Sequence, residues 1–142
     1  MSTIDRFRTA IEQRDFEALA QLFAAEPRFF SPVAFTPFEG RGVVLGVFDV
    51  LLRRVFDDFR YVGSLDGGVE TADGSATSDS HVLIFRAMIG DKQIHGMDLL
   101  QLDDEGLISE LTVMVRPLSA VTALGEAVQA GLVAEGLVPA GG

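Results

Sequence analysis

The residues whose types and spacing could do chemistry are few, and the most pointed is Asp98. It sits in the apolar run "GMDLLQL", with Lys92 to Leu102 alternating as a strand after a second alternating run over 78–89. Gly90-Asp91 between them reads as a two-residue hairpin loop, which sets Leu83 opposite Asp98, Phe85 opposite Gly96 and His81 opposite Leu100. Because side chains alternate, one face then carries His81, Leu83, Phe85 and Ala87 with Gly96, Asp98 and Leu100. A following strand, 107–116, joined through Asp103-Asp104-Glu105-Gly106, is expected to set Asp98 opposite Leu111 and Gly96 opposite Val113. Asp98 is thus a carboxyl flanked by leucines, with His81 as a diagonal neighbour. Desolvation raises the pKa of such a carboxyl, towards a form that holds its proton and donates a hydrogen bond. An acid/base pair in a ligand pocket and a buried polar pair that satisfies itself are both consistent with this placement.

Other candidates are weaker. The sequence has two histidines, and parity sends His95 to the opposite face beside Arg86, so the two cannot share a metal ion; no metal and no cofactor are expected. "GRGVVLG" lacks the Lys-Ser/Thr of a phosphate loop and reads as a helix start. Ser31 and Ser80 have no triad context. Arg116, ending the last strand, could hold a ligand anion or pair with an acid such as Glu110. The phenylalanines at 29, 30, 35, 38, 48, 56 and 59 read as core, some of them, Phe48 included, lining an apolar pocket.

These residues need elements to hold them. Ile4, Phe7 and Ile11 predict a helix over 3–14, and Asp15 caps a second helix whose face is Phe16, Leu19, Leu22 and Phe23, ended by Pro27. A short strand and loop follow, then a third helix over about 43–57 with Val44, Val47, Phe48, Leu51, Leu52, Val55 and Phe56 on one face. "FRYVGSL" reads as a strand, Asp66-Gly67-Gly68 as a turn, 69–72 as a short strand and Asp73-Gly74 as another turn. Leu118, Val121, Leu124, Val128 and Leu132 predict a last helix. Helices first and a long antiparallel meander after define an α+β chain, with one domain over 1–135 and a loose tail over 136–142.

Composition bounds the rest. The 142 residues are 48% apolar, with 21 acids against 11 bases and a net charge of −10, so nucleic acid and anionic membranes are not expected partners. There is no cysteine, no apolar run long enough to span a membrane and no apolar start resembling a signal peptide, which together suggest a cytoplasmic protein. Both faces of the sheet are apolar in the middle, and the outer one (Val82, Ile84, Met97, Leu99) is expected to meet a second copy of the chain.

Residues 3 to about 117 resemble the nuclear transport factor 2-like superfamily: "RDFEALAQLF", then "FFSPVAF" and a glycine loop into a third helix, then a meander ending "GMDLLQLDDEGLISELTVMVRP". The resemblance implies a cone, a strongly curved cystatin-like sheet wrapped around helices with an apolar pocket inside, and frequent dimers through the outer sheet face. Ketosteroid isomerases and the polyketide-cyclase-like (SnoaL-like) proteins are its enzymes to compare. The isomerases place a protonated Asp on the strand matching "GMDLLQL", which implies that role for Asp98. Their catalytic Tyr matches Phe7 and their general-base Asp matches Ser31 before Pro32, so steroid isomerisation by that mechanism lacks two of its three groups. The cyclases keep a pocket lined by Asp and His, as Asp98 and His81 would be. The expectation is a small apolar-molecule pocket with Asp98 and His81 as acid/base residues, lined by Phe7, Ser31, Phe48, Leu83, Phe85, Leu111 and Val113; it serves an isomerase or cyclase, or a non-catalytic binding or dimerisation domain.

Overall fold

A computed structural model describes residues 1–137. Its elements are α1 (Thr3–Gln13), α2 (Phe16–Ala20), β1 (Phe23–Phe30), β2 (Phe38–Glu39), α3 (Arg41–Val50, continued by a wider π turn over Leu51–Val55), β3 (Asp57–Glu70), β4 (Thr77–Ile89), β5 (Lys92–Leu102), β6 (Ile108–Arg116) and α4 (Leu118–Ala134). The chain is α+β, with a curved, unclosed six-stranded sheet packed on the helices. The strand order is β2-β1-β6-β5-β4-β3, antiparallel except for β1 beside β6.

Each helix forms for a local reason. Ser2 and Asp5 close a capping box at the start of α1, and Asp15 accepts the Ala18 N–H at the start of α2. The face of the third helix is buried at every one of its seven expected positions, from Val44 to Phe56. Its helical turns begin at Arg41, two residues before the sequence pattern, and end at Val55, because Phe56 is already extended and Asp58 is left-handed at φ +52°.

The meander shows how register was set. Gly90 has φ +58°, the left-handed conformation a two-residue hairpin turn of this hand requires of its first residue. The pairing that follows is the expected one, Leu83 with Asp98 and Phe85 with Gly96. Gly96 has to be glycine for a packing reason: a Cβ there would lie 2.4 Å from Phe85 Cζ and 2.9 Å from Val115 Cγ1. The second hairpin is two residues out of the expected register. Asp98 faces Val113, Gly96 faces Val115 and Leu111 faces Leu100: the loop is one residue longer than expected, so Leu102 pairs with Ile108, and a bulge between Gln101 and Leu102 adds Ser109 as a second extra residue, its hydroxyl donating to the Gln101 carbonyl. A shift of two keeps every side chain on its expected face.

Three other expectations fail. Pro27 does not end α2, which stops at Ala20; it lies inside β1, in the irregular stretch between the pairs Phe23–Ile108 and Arg28–Glu110, where no ladder N–H is required of it. Asp66-Gly67-Gly68 is not a turn: β3 runs straight through it to Glu70, paired residue by residue with β4, and the only reversal lies between Glu70 and Thr77. Phe35 is not core; it is 99% exposed at the tip of the loop after β1. The expected tail over 136–142 lies outside the described residues from 138 onward.

Gly96→Ala should destabilise the fold by about 1–3 kcal/mol through overpacking against Phe85. Urea unfolding checks this, and a change below about 0.5 kcal/mol would mean that the ring is free to move aside.

Candidate functional site

Inside the sheet's concave face, α1, α3, α4 and the loop after β1 close an apolar pocket whose polar lining residues are Asp98, Tyr61 and Ser31. Asp98 lies at the centre of β5, 5% exposed, between its neighbours Leu83 and Val113. Its partner is the phenol of Tyr61, the only tyrosine in the chain, which reaches across from β3 and donates to Asp98 Oδ2 at 2.9 Å. Tyr61 is buried, edge-on to Phe59 and with the Arg8 guanidinium 5.9 Å from its ring centre. Phe59 in turn stacks on Phe85 at 4.9 Å, so the aromatic floor and the polar pair are one packed unit.

The electrostatics follow from this packing. Burial pushes the Asp98 carboxyl up to about 7, with the Tyr61 hydrogen bond opposing the shift. Burial, and then the neighbouring Asp98 charge, push the Tyr61 phenol well above its ordinary value, so it stays a donor across the neutral range. Among the described residues no cation forms an ion pair with Asp98. Ser31 is placed differently: its Oγ accepts from the backbone N–H groups of Val33 (3.4 Å) and Ala34 (3.2 Å), which leaves its own hydroxyl proton free to donate.

Of the residues expected at the site, Asp98, Ser31, Phe48, Phe85 and Val113 line this pocket. Phe7, Leu83 and Leu111 lie behind it, fully buried in the core, where the Phe7 ring packs edge-on against Phe48. His81 does not join Asp98. It is on the expected face, but its Nδ1 bonds Asp66 at 2.7 Å and its Nε2 Asp79 at 3.1 Å, farther along the hairpin and away from the pocket lining. Alternation fixes the face of a strand residue and says nothing about how far along the strand the pocket extends. Tyr61 went unassigned although "FRYV" alternates correctly. A bulge between Tyr61 and Gly63 offsets β3 from β4, and only the observed register shows that the phenol reaches Asp98.

The helix α4 forms the lid of the pocket through Leu124 and Val128. Glu135 ties its end to Arg53 at 2.8 Å and Arg54 at 2.9 Å, and Gly131 packs against Val50. The cavity beneath is about 40 Å³, room for two or three waters. No group of three or more His, Cys, Asp or Glu able to hold a metal ion occurs among the described residues, and none of their helices is long and apolar enough to cross a membrane.

A curved sheet enclosing an apolar, carboxyl-bearing pocket under helices defines a cone-shaped pocket protein, and comparison with solved structures gives its kin. A steroid delta-isomerase from Pseudomonas aeruginosa is 34% identical, with a TM-score of 0.79 over 96% of this chain and 93% of that one. An uncharacterised bacterial protein with a cystatin-like fold from Silicibacter pomeroyi is 27% identical, with a TM-score of 0.81 over 95% and 88%. A nuclear transport factor 2-like protein of unknown function from Cytophaga hutchinsonii, 19% identical with a TM-score of 0.57 over 83% and 90%, shares the fold. The chain belongs to the nuclear transport factor 2-like superfamily. No family model and no curated protein matches it by sequence.

Because the folded-state pKa of Asp98 lies above its unfolded value, the folded state holds the proton more tightly. The stability this gives is complete below about pH 4 and is lost as pH rises towards 7. Asp98→Asn should therefore flatten the pH dependence of urea stability between pH 4 and 7 and leave the variant more stable than wild type at pH 8. Parallel curves for the two proteins would refute the shift.

Proposed function

We propose that this protein binds a small, planar, apolar carbonyl compound and moves a proton on it, with Asp98 as both acid and base, in the manner of an isomerase or cyclase. The observation that carries this reading is a buried carboxyl whose side-chain partner is a phenol, in a pocket lined mostly by apolar side chains; burial pushes it up to about 7, where one group both takes and returns a proton efficiently at neutral pH. The Asp98 carboxylate removes a proton from the carbon between the carbonyl and a C=C bond, and the C–H electron pair moves into a dienolate. The new Asp98 acid then delivers that proton to another carbon as the carbonyl re-forms. Tyr61 orients Asp98 by donating to Oδ2, and the free Ser31 hydroxyl is the donor for the enolate oxygen. The similarity to the Pseudomonas steroid delta-isomerase supports this class of reaction. The residues do not support its transfer unchanged, since Phe7 and Ser31 carry neither the phenol nor the carboxylate expected at those positions.

The lack of the expected phenol and carboxylate at Phe7 and Ser31 favours a second reading, a non-catalytic binding module for a small apolar molecule. The cavity of about 40 Å³ admits substrate or ligand alike only after Leu124 and Val128 withdraw. Denaturing extraction of whatever co-purifies, followed by turnover assays on its relatives, separates the two. Under the catalytic reading Asp98→Asn abolishes turnover, by at least 100-fold, while ligand affinity changes less than tenfold. Tyr61→Phe moves the acidic limb of the pH–rate profile upward, because the bond it removes opposes the rise in the Asp98 pKa. Unchanged turnover in Asp98→Asn would remove Asp98 from the mechanism.

We also propose that the outer sheet face mediates a homodimer. Met97, Met114 and Leu65 are 37%, 50% and 62% exposed there, beside half-buried Val82, Ile84 and Leu99. Ile84→Glu should halve the mass measured by light scattering; a monomeric wild type would end this proposal.

A further inference from the structure

The outer face carries a second feature, near the turn between β4 and β5. Arg60 of β3 pairs with Arg86 of β4, Arg86 with His95 of β5, and His95 with Arg116 of β6, so one continuous rung across four strands is basic at every position. The chain has only 11 Lys and Arg against 21 acids, so most bases have an acid to choose. Among the described residues Arg60, Arg86 and Arg116 form no ion pair, as is also true of Arg6, Arg14, Arg41 and Lys92, whereas Arg8, Arg28, Arg53 and Arg54 do; what sets the three apart is their adjacency on one rung. Like charges directly opposite one another in a sheet, as Arg60 and Arg86 are, repel, and a bound anion would offset that repulsion.

The three guanidiniums and His95 line a concavity of about 230 Å³, to which Gln93 adds an amide and Asp58 a carboxylate. Neighbouring strands lie about 5 Å apart, so Arg60 and Arg116 are about 15 Å apart across the rung, a span that long arginine side chains leaning inwards can close on one anion near Arg86 and His95. Three permanent charges in planar forks match a ligand with several charged oxygens, as a phosphoryl group has, better than a single carboxylate. We propose that this rung is an anion site for a diphosphate-sized phosphoryl group. It lies on the face opposite the Asp98 pocket and is independent of the function proposed for that pocket.

Inorganic pyrophosphate titrated calorimetrically at low salt and pH 7 tests the site. The expected result is saturable binding of one anion per chain, weakened at least tenfold by Arg86→Gln and by Arg116→Gln and within twofold of wild type for Arg6→Gln, an exposed arginine on α1. Orthophosphate and citrate run in parallel, and each is expected to bind at least tenfold more weakly than pyrophosphate. Binding that survives both rung substitutions, or citrate binding as tight as pyrophosphate, would overturn the proposal. So would an absence of binding accompanied by a fall in oligomer mass in Arg86→Gln, which would give the rung to a contact between copies.

Discussion

In the central strands a side chain can point only into the cone or out of it, and the register set at Gly90–Asp91 decides which. That turn places Asp98 beside Leu83 on the inside and His95 beside Arg86 on the outside. A slip of one residue would expose the carboxyl to water and drive an arginine into the apolar core. The interior chemistry and the exterior charge therefore depend on the same constraint. Gly96 reinforces it from within, because only a residue without a Cβ lets the Phe85 ring lie across β5 beside Asp98.

Within that frame, the pocket concentrates its polarity. Fifteen apolar side chains surround three polar ones, and the single ionisable carboxyl is answered by a phenol and not by a cation. A guanidinium there would hold Asp98 ionised and low; a phenol holds the carboxyl in place while burial pushes it up to about 7. The Phe59–Phe85 stack and the Tyr61–Phe59 edge contact hold the phenol in a rigid aromatic layer.

Much of this was legible in the sequence, and the reasons differ residue by residue. The third helix, three long strands and the first hairpin register follow from strict periodicity and one glycine turn, and the inward face of Asp98 follows from them. The second register is offset by one residue in the loop and one in the Ser109 bulge, neither of which a residue type announces. The Gly67-Gly68 pair mimics a turn, yet the strand continues because β4 supplies every partner. Parity puts His81 on the pocket face but carries no information on depth along the strand, so its place beside Asp66 and Asp79 is not legible. The face of Tyr61 is readable, but its partner lies two strands away across a bulge. The basic rung is invisible in the linear sequence, since residues 60, 86, 95 and 116 meet only through three registers.

The most direct test of the central claim is a carboxyl carbon-13 NMR titration of the purified protein, with the Asp98 resonance assigned by its absence in Asp98→Asn. A midpoint near 7 is the result required by a carboxyl buried beside a phenol. A midpoint near 4 would show a solvated or charge-compensated group, and with it the acid/base reading of the pocket would fail.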